Sequence, residues 1–248
     1  MEVKTKHKKY ANFFTRQQLA QKGLIPGDKG IDLWSNQFCK TKATYFDLNK
    51  AQKITTIYIY KNYLIDNESN YMSTELSAVD QLGNTLFNEL IRPDNKWLKK
   101  ANANPFKKYS NADIWVQDAL RSNFSYKDIL FAQSYEKVSE HLIKVINQFK
   151  YIDTIISYNV GFNVPVSLIE DEKYKKIDLM TLFAEVIKEP LEPQKEYYNG
   201  EYEIIDDDQP KYKWQKLSKC FEYYKVKPDS QTAYAYANAI RMCYQQYR

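Results

Sequence analysis

The 248-residue sequence is poor in the residues from which many metal centres and disulfide scaffolds are built. It has two histidines and three cysteines, and Cys39, Cys220 and Cys243 lack metal-ligand spacing. Because an odd, scattered set of cysteines favours a reducing compartment, we expect a cytoplasmic protein. No apolar run is long enough to cross a bilayer, and the lysine-rich start lacks a signal-peptide core. We therefore expect no membrane partner.

Aromatic residues are abundant, whereas the charges nearly balance. There are 22 tyrosines, 12 phenylalanines and 4 tryptophans, and 36 basic residues face 31 acidic ones for a net charge of +5. This mild excess permits a nucleic-acid partner without arguing for one. Aromatics alternate with lysines at 211–214 and 223–225, the composition that single-strand binders use for stacking and phosphate contacts. The alternative is that most aromatics fill the core.

An acidic motif follows an apolar stretch near residue 65. The run from about 55 to 66 predicts a strand, and Asp66-Asn67-Glu68 places two carboxylates at its end, where they could hold a hard cation such as Mg²⁺. Residues 73–92 alternate around Gly83-Asn84 and predict a hairpin. The alternative for Asp66 and Glu68 is a pair of solvated loop carboxylates.

These segments resemble the DEDDh 3′–5′ exonucleases, a ribonuclease-H-like family that includes proofreading exonucleases and ribonuclease T. The family's Asp-x-Glu matches Asp66 and Glu68, and its His-Asn-x-x-Phe-Asp motif matches 158–163. Its Ser-His-x-Ala-x-x-Asp-Ala motif matches 229–239. The matches keep the family's order and cover about 55–248.

The resemblance implies an α/β, ribonuclease-H-like exonuclease fold with a central mixed five-stranded sheet flanked by helices. The exonuclease-like domain would span 55–248, and 1–54 would form a basic N-terminal extension packed on it. Apolar periodicity predicts the main helices. They lie near 134–149, from about 162, and near 178–188, 213–225 and 229–247.

Carried over residue by residue, the resemblance retains two of the five catalytic positions. Asp66 and Glu68 match the first two carboxylates and are the metal ligands that it implies. Asn163 and Tyr236 replace the third and fourth acids, and Gln231 replaces the general-base histidine. Glutamine cannot take up a proton at neutral pH, and amide and phenol oxygens bind Mg²⁺ more weakly than carboxylates. The resemblance thus implies at most one weakly held Mg²⁺ or Mn²⁺ ion, with no bound metal as the alternative.

The other candidate acids, bases and hydroxyls are assigned structural roles. Asp178 precedes an apolar helix and predicts its N-cap, and Ser230 predicts the cap of the last helix. His141 lies at the edge of an amphipathic helix, where it would pack or point to water. The Asp206–Asp208 run falls in a polar insertion, and it would reach the site only by folding back.

We interpret the chain as an exonuclease-like nucleic-acid-binding protein with hydrolysis lost or strongly impaired, a pseudoenzyme that could serve within a larger complex. Asn159, Phe162 and Tyr71 would contact single-stranded nucleic acid or a nucleic-acid end. One alternative is an active metal-dependent 3′–5′ exonuclease with an altered site. A second is a protein-interaction module with its cleft plugged by Tyr236 and residues 197–210. A protein partner or a homodimer remains open, as does the choice between DNA and RNA.

Overall fold

The computed structural model describes residues 12–34, 42–65, 71–92, 128, 131–191, 195–198, 201–204 and 212–248. The structural statements that follow concern these residues. The basic arm at 1–11 and the Asp206–Asp208 run lie outside them.

Short strands, one α-helix and a 3₁₀-helix (Leu48–Lys50) are the described elements of the N-terminal extension. In chain order the strands and the α-helix are β1 (Phe13–Thr15), α1 (Arg16–Gln21), β2 (Leu24–Ile25), β3 (Ile31–Trp34), β4 (Lys42–Asp47) and β5 (Gln52–Lys53). An antiparallel sheet has the order β1-β4-β3, and β2 pairs with β5. Ile25 and Ile54 join the apolar core beneath the central sheet, and Arg16 donates a 2.8 Å hydrogen bond to Asn84. The extension therefore contacts the main sheet through apolar and polar groups.

The central sheet has five strands and is mixed, which confirms the predicted fold class. Its strands are β6 (Thr56–Ile65), β7 (Tyr71–Asp80), β8 (Thr85–Leu90), β9 (Thr154–Ser157) and β10 (Lys175–Asp178). They lie in the order β10-β9-β6-β7-β8. β7 is antiparallel to both of its neighbours, β6 and β8, whereas β9 runs parallel to β6 and β10 runs parallel to β9.

The predicted hairpin is confirmed, although β7 begins two residues earlier than expected. Its turn depends on Asp80, whose Oδ1 accepts hydrogen bonds from the backbone N–H groups of Leu82 (2.8 Å) and Asn84 (2.9 Å). Gly83 has a φ of 85°, a conformation that a side chain would strain. Buried carboxylate and glycine together fix the turn.

Helices cover both faces of the sheet. They are α2 (Tyr135–Asn147), α3 (Val160–Asn163), α4 (Val166–Glu170), α5 (Leu179–Ile187), α6 (Leu217–Tyr223) and α7 (Ala233–Tyr247). A separate hairpin, β11 (Lys195–Tyr198) with β12 (Glu201–Ile204), occupies the polar insertion, where no strands were predicted. None of the helices in the described ranges combines the length and the apolar character needed to cross a bilayer.

Alternate residues of β6 serve two different cores, because successive strand side chains point to opposite faces. Ile57 and Ile59 pack with Leu142 of α2 on one face. Tyr58 and Tyr60 join the cluster that α5, α6 and α7 form on the other face. Burial on both faces explains why β6 is nearly continuous in apolar and aromatic residues.

Three helix predictions need correction. The helix expected from about 162 is two short helices, because Pro165 between them lacks an N–H to continue the first. The helix expected over 213–225 begins only at Leu217. Residues before it are held extended by Glu189: its backbone O accepts from the Lys213 N–H (2.8 Å), and its carboxylate accepts from Gln215 (3.0 Å).

The cap of α7 is Thr232 and not Ser230. The Thr232 hydroxyl accepts a hydrogen bond from the Ala235 N–H at 3.3 Å. Ser230 lies two residues further out, and its hydroxyl bonds to that of Thr232 at 2.9 Å. It therefore supports the cap from outside the helix.

Two structural assignments are confirmed. Asp178 is the N-cap of α5 and accepts the Met180 N–H at 2.9 Å. His141 is on an exposed side of α2, where its Nδ1 is 2.6 Å from Glu89 and its ring meets Phe87 edge-on.

Cys220 and Cys243 are buried and form no disulfide.

Asp178→Ala should lower the free energy of unfolding by about 2–3 kcal/mol, because the carboxylate also accepts the N–H groups of Asn159 (2.8 Å) and Val160 (2.9 Å). Urea denaturation would measure the change. Asp171→Ala is the matched control, since Asp171 is exposed and its carboxylate accepts the Lys173 N–H at 2.9 Å; it should change stability by under about 0.5 kcal/mol. Equal losses in the two variants would contradict the assignment.

Candidate functional site

The candidate site is a cleft where β6 and β9 approach their carboxyl ends and meet the start of α7. Three of the residues predicted from the sequence, Asn163, Gln231 and Tyr236, reach this cleft. On the strand side they meet Tyr60, Lys61 and Asn62, which the sequence did not single out. We call Tyr60, Asn62, Asn163, Gln231 and Tyr236 the cleft residues.

Asn163 is buried and joins two parts of the backbone. Its Oδ1 accepts the Lys61 N–H of β6 at 3.1 Å. Its Nδ2 donates to the backbone O of Tyr158 and, at 3.3 Å, to that of Asn159. Both ends of the amide are therefore used to hold the loop after β9 against β6.

The loop itself is fixed from the other side by Asp178. Asn159 adopts a left-handed conformation with φ of 62°, which asparagine tolerates better than most residues. Its N–H and that of Val160 donate to the two carboxylate oxygens of Asp178. Asn159 and Phe162, which the sequence predicted as nucleic-acid contacts, thus lie in or next to a rigid turn beside the cleft.

Tyr236 of α7 stacks on Tyr60 of β6. The ring centroids are 5.0 Å apart with 13° between the ring planes, and the ring centroid of Phe221 lies 5.7 Å from that of Tyr236. Tyr60 is 8% exposed, and burial raises the pKa of its phenol above the usual value. The phenol therefore stays neutral at physiological pH, and the stacked rings fill the space between strand and helix.

Asn62 holds the segment that leads into α7. Its Nδ2 donates to the backbone O of Gln231 at 2.8 Å, and its Oδ1 accepts the Tyr63 N–H at 3.2 Å. Gln231 is exposed, and its main chain makes this contact. A register shift between Asn62 and Tyr63 marks the point where regular pairing of β6 with β7 is interrupted.

Glu75 is a buried acid that sequence reasoning missed. It pairs with Asn62 across β6 and β7, is 1% exposed, and accepts the Ala233 N–H at 2.6 Å through Oε2. A carboxylate at an inward-facing strand position was the available sequence signal. Asn62 and Glu75 together secure the start of α7.

Asp66, Glu68 and the side chain of Tyr71 lie outside the described residues, so their roles stay predictions. The two acids belong to the connection between β6 and β7, whose flanking residues Ile65 and Tyr71 are paired. Ile65 is five positions beyond Tyr60, or about 17 Å along an extended strand.

The described cleft side chains do not fit a two-metal centre. Such a centre needs several carboxylate oxygens, whereas the cleft residues supply phenols and amides, and the Asn163 amide is already engaged. Within the described ranges, no group of three or more His, Cys, Asp or Glu side chains is arranged to hold a metal ion.

Beside the cleft, Lys61 lies between aromatic rings on the opposite face of β6 from Tyr60. Its Nζ is 4.4 Å from the Phe162 ring centroid and 5.0 Å from that of Tyr135. Tyr63 meets Phe162 edge-on at 4.8 Å. Burial lowers the pKa of the Lys61 ammonium. We call these four residues the Lys61 cluster.

Comparison with known proteins finds structural similarity without sequence similarity. No protein-family model matches the chain, and no curated protein matches it. The solved structures similar to it include a 3′-exonuclease in 3′-end-specific recognition of a histone mRNA stem-loop and a full-length 3′-exonuclease. Each has a TM-score of 0.46 and 11% sequence identity, with 77% of this chain and 80% of the exonuclease chain covered.

Glu75→Gln should remove a pH dependence of stability. Burial raises the pKa of Glu75 above that of the unfolded chain, so folding favours its protonated form. Its contribution is fully present at low pH and is lost as pH rises through the folded-state pKa. From pH 4 upward, the Gln variant should therefore become progressively more stable relative to the parent protein.

Urea midpoints measured between pH 4 and 8 would test this expectation. Glu185→Gln, which changes an exposed acid on α5, should run parallel to the parent protein. Parallel curves for Glu75→Gln as well would contradict the assignment.

Proposed function

We propose that this chain is an exonuclease-like nucleic-acid-binding protein in which hydrolysis is lost or strongly impaired. One observation carries the proposal: the cleft residues form their own hydrogen bonds and ring stack where an exonuclease would gather carboxylates. By the sequence resemblance, Asn163 and Tyr236 occupy the positions of the family's third and fourth acids. Gln231 occupies the position of its general-base histidine.

The strand contacts suggest which β6 residues stand at the family's Asp-x-Glu. Tyr60 stacks on Tyr236, the Lys61 N–H binds Asn163, and Asn62 binds the Gln231 backbone. Tyr60 and Asn62 have the same spacing as Asp-x-Glu and face the other motif positions. Asp66 and Glu68 follow them by six positions each. We infer that Tyr60 and Asn62 replace the first two acids, which leaves all five catalytic positions substituted.

Such a cleft lacks what hydrolysis by this route requires. Two divalent cations bring four positive charges, which phenols and amides do not balance. Loss of the proton acceptor alone costs a factor of about 10²–10⁴ in rate. The stacked Tyr60 and Tyr236 rings also occupy space between β6 and α7. Binding without efficient turnover is the function that fits this composition.

The Lys61 cluster supplies the chemistry for a nucleic-acid contact. Aromatic faces accept stacked bases irrespective of sequence, and a lysine beside them attracts phosphate. Phe162 and Tyr135 hold the ammonium near the rigid turn at Asn159, on the face of β6 opposite Tyr60. This arrangement favours single-stranded nucleic acid or a strand end, because paired bases do not expose their faces.

A protein-interaction module is the second candidate. The stack of Tyr60, Tyr236 and Phe221 fills the cleft with aromatic side chains, which favours this alternative. It would show no salt-dependent nucleic-acid binding.

Lys61→Ala should weaken binding of single-stranded nucleic acid about five- to tenfold, because it removes one phosphate-attracting charge and its cation–π contacts. Fluorescence anisotropy with labelled 12-nucleotide DNA and RNA at several salt concentrations would measure the effect. Lys144→Ala, which removes an exposed lysine from the same sheet face on α2, should change affinity by less than about twofold. The proposed binding by the Lys61 cluster would be contradicted if Lys61→Ala and Lys144→Ala bound single-stranded nucleic acid equally well. It would also be contradicted if the parent protein showed no salt-dependent binding.

Incubation with labelled single-stranded DNA and RNA in Mg²⁺ or Mn²⁺ should give no shortening above the no-protein control. Mutation of Asp66 or Glu68 to alanine should leave this background unchanged. Shortening from the 3′ end that disappears in Asp66→Ala would establish the active-exonuclease alternative instead.

A further inference from the structure

A cavity of about 360 Å³ lies at the opposite end of the sheet from the cleft. Its floor is formed by the first residues of three strands, on the face that carries α7. These floor residues are Thr56, Tyr58, Thr154, Ile156, Lys175 and Ile177. We call this cavity the strand-start pocket.

The pocket exists because α7 covers the sheet unevenly. The helix packs mainly on β6 and β7, so the starts of β9 and β10 form an open floor beside it. The last turn of α7 supplies the wall through Tyr244, Gln245 and Arg248. A volume of this size lies within the range of small-molecule sites.

The charges at the pocket are positive. The side chains of Lys175 and Arg248 line it, and no Asp or Glu side chain is among its lining residues in the described chain. Asp153 lies next to Thr154 and accepts its hydroxyl at 2.7 Å. No ion pair between described residues involves Lys175 or Arg248. The pocket therefore suits an anionic group.

The floor and wall are apolar and aromatic beneath these charges. The Tyr58 and Tyr244 rings lie 6.2 Å apart, and Ile177 is a partly exposed apolar side chain of the floor. Burial is the main cause that raises the pKa of Tyr58 to about 12, and the neighbouring Tyr244 phenol adds to it. The positive charges of Arg241 and Arg248 act in the opposite direction. The Tyr58 hydroxyl is thus a hydrogen-bond donor at neutral pH.

One acceptor in the pocket lacks a partner. Gln81 lines the pocket, and its Nε2 donates to the Lys53 backbone O at 2.6 Å, which fixes the orientation of the amide. Its Oε1 is buried without a hydrogen bond. An unpaired buried acceptor costs about 1–3 kcal/mol, which a ligand N–H would recover.

From this geometry we propose that the strand-start pocket binds a nucleoside 5′-monophosphate. The phosphate would meet Lys175 and Arg248, and the base would lie on Ile177 beside Tyr244. A base N–H would donate to Gln81 Oε1. The site is separate from the cleft and does not depend on the function proposed for it.

Isothermal titration of the full chain with AMP, GMP, CMP and UMP tests this site. At least one nucleotide should bind with a dissociation constant below about 500 μM, and the nucleoside without phosphate should bind at least about tenfold more weakly. Lys175→Ala should weaken nucleotide binding about tenfold. Lys176→Ala is the matched control, because Lys176 points to the other sheet face and bonds to the Asp171 backbone O.

Ile177→Trp should abolish binding by filling the floor, with circular dichroism confirming that the variant folds. The proposal is overturned if no nucleotide binds at millimolar concentration. It is also overturned if Lys175→Ala and Lys176→Ala bind equally well, or if Ile177→Trp folds and binds normally. Anisotropy with single-stranded nucleic acid should be the same for Lys175→Ala and the parent protein, which separates this site from the cleft.

Discussion

Burial of β6 on both faces is the constraint on which the rest of the structure depends. Isoleucines at 57 and 59 face one core, and tyrosines at 58 and 60 face the other. A shift of one residue would exchange them, so the two cores together fix the register of the strand. Because the register of β6 is fixed, Tyr60 and Asn62 in its middle are held at the cleft, and its first residues are held at the strand-start pocket.

The cleft uses its polar groups to hold the chain together. An aspartate at 163 could still accept the Lys61 N–H, but it would lose the donor that Nδ2 offers and would face the backbone oxygens of Tyr158 and Asn159. The local backbone is thus suited to an amide. Asn62 and Glu75 likewise bind the chain before and at the start of α7. A carboxylate site at these positions would require different backbone contacts.

The sequence predicted the features that follow from local patterns. The hairpin was predicted because alternating residues flank a Gly-Asn turn, whereas the five-stranded sheet was implied by the resemblance to the DEDDh exonucleases. Asp178 was correctly assigned because an acid directly before an apolar helix has one common role. The α7 cap was misplaced because residues 229–232 offer several capping side chains. Only the three-dimensional position of the Ala235 N–H selects Thr232.

The cleft was harder to predict because Tyr60 and Asn62 carry no local chemical signal. In sequence, Tyr60 belongs to an aromatic strand that already looks like core, whereas Asp66 and Glu68 display the spacing expected of a metal site. Spacing alone does not determine where along a strand a motif lies. That position is determined by pairing with β9 and by Asn163, which lies about a hundred residues away in sequence and meets Lys61. Local spacing thus points to Asp66 and Glu68, whereas the strand register brings Tyr60 and Asn62 to the other motif residues.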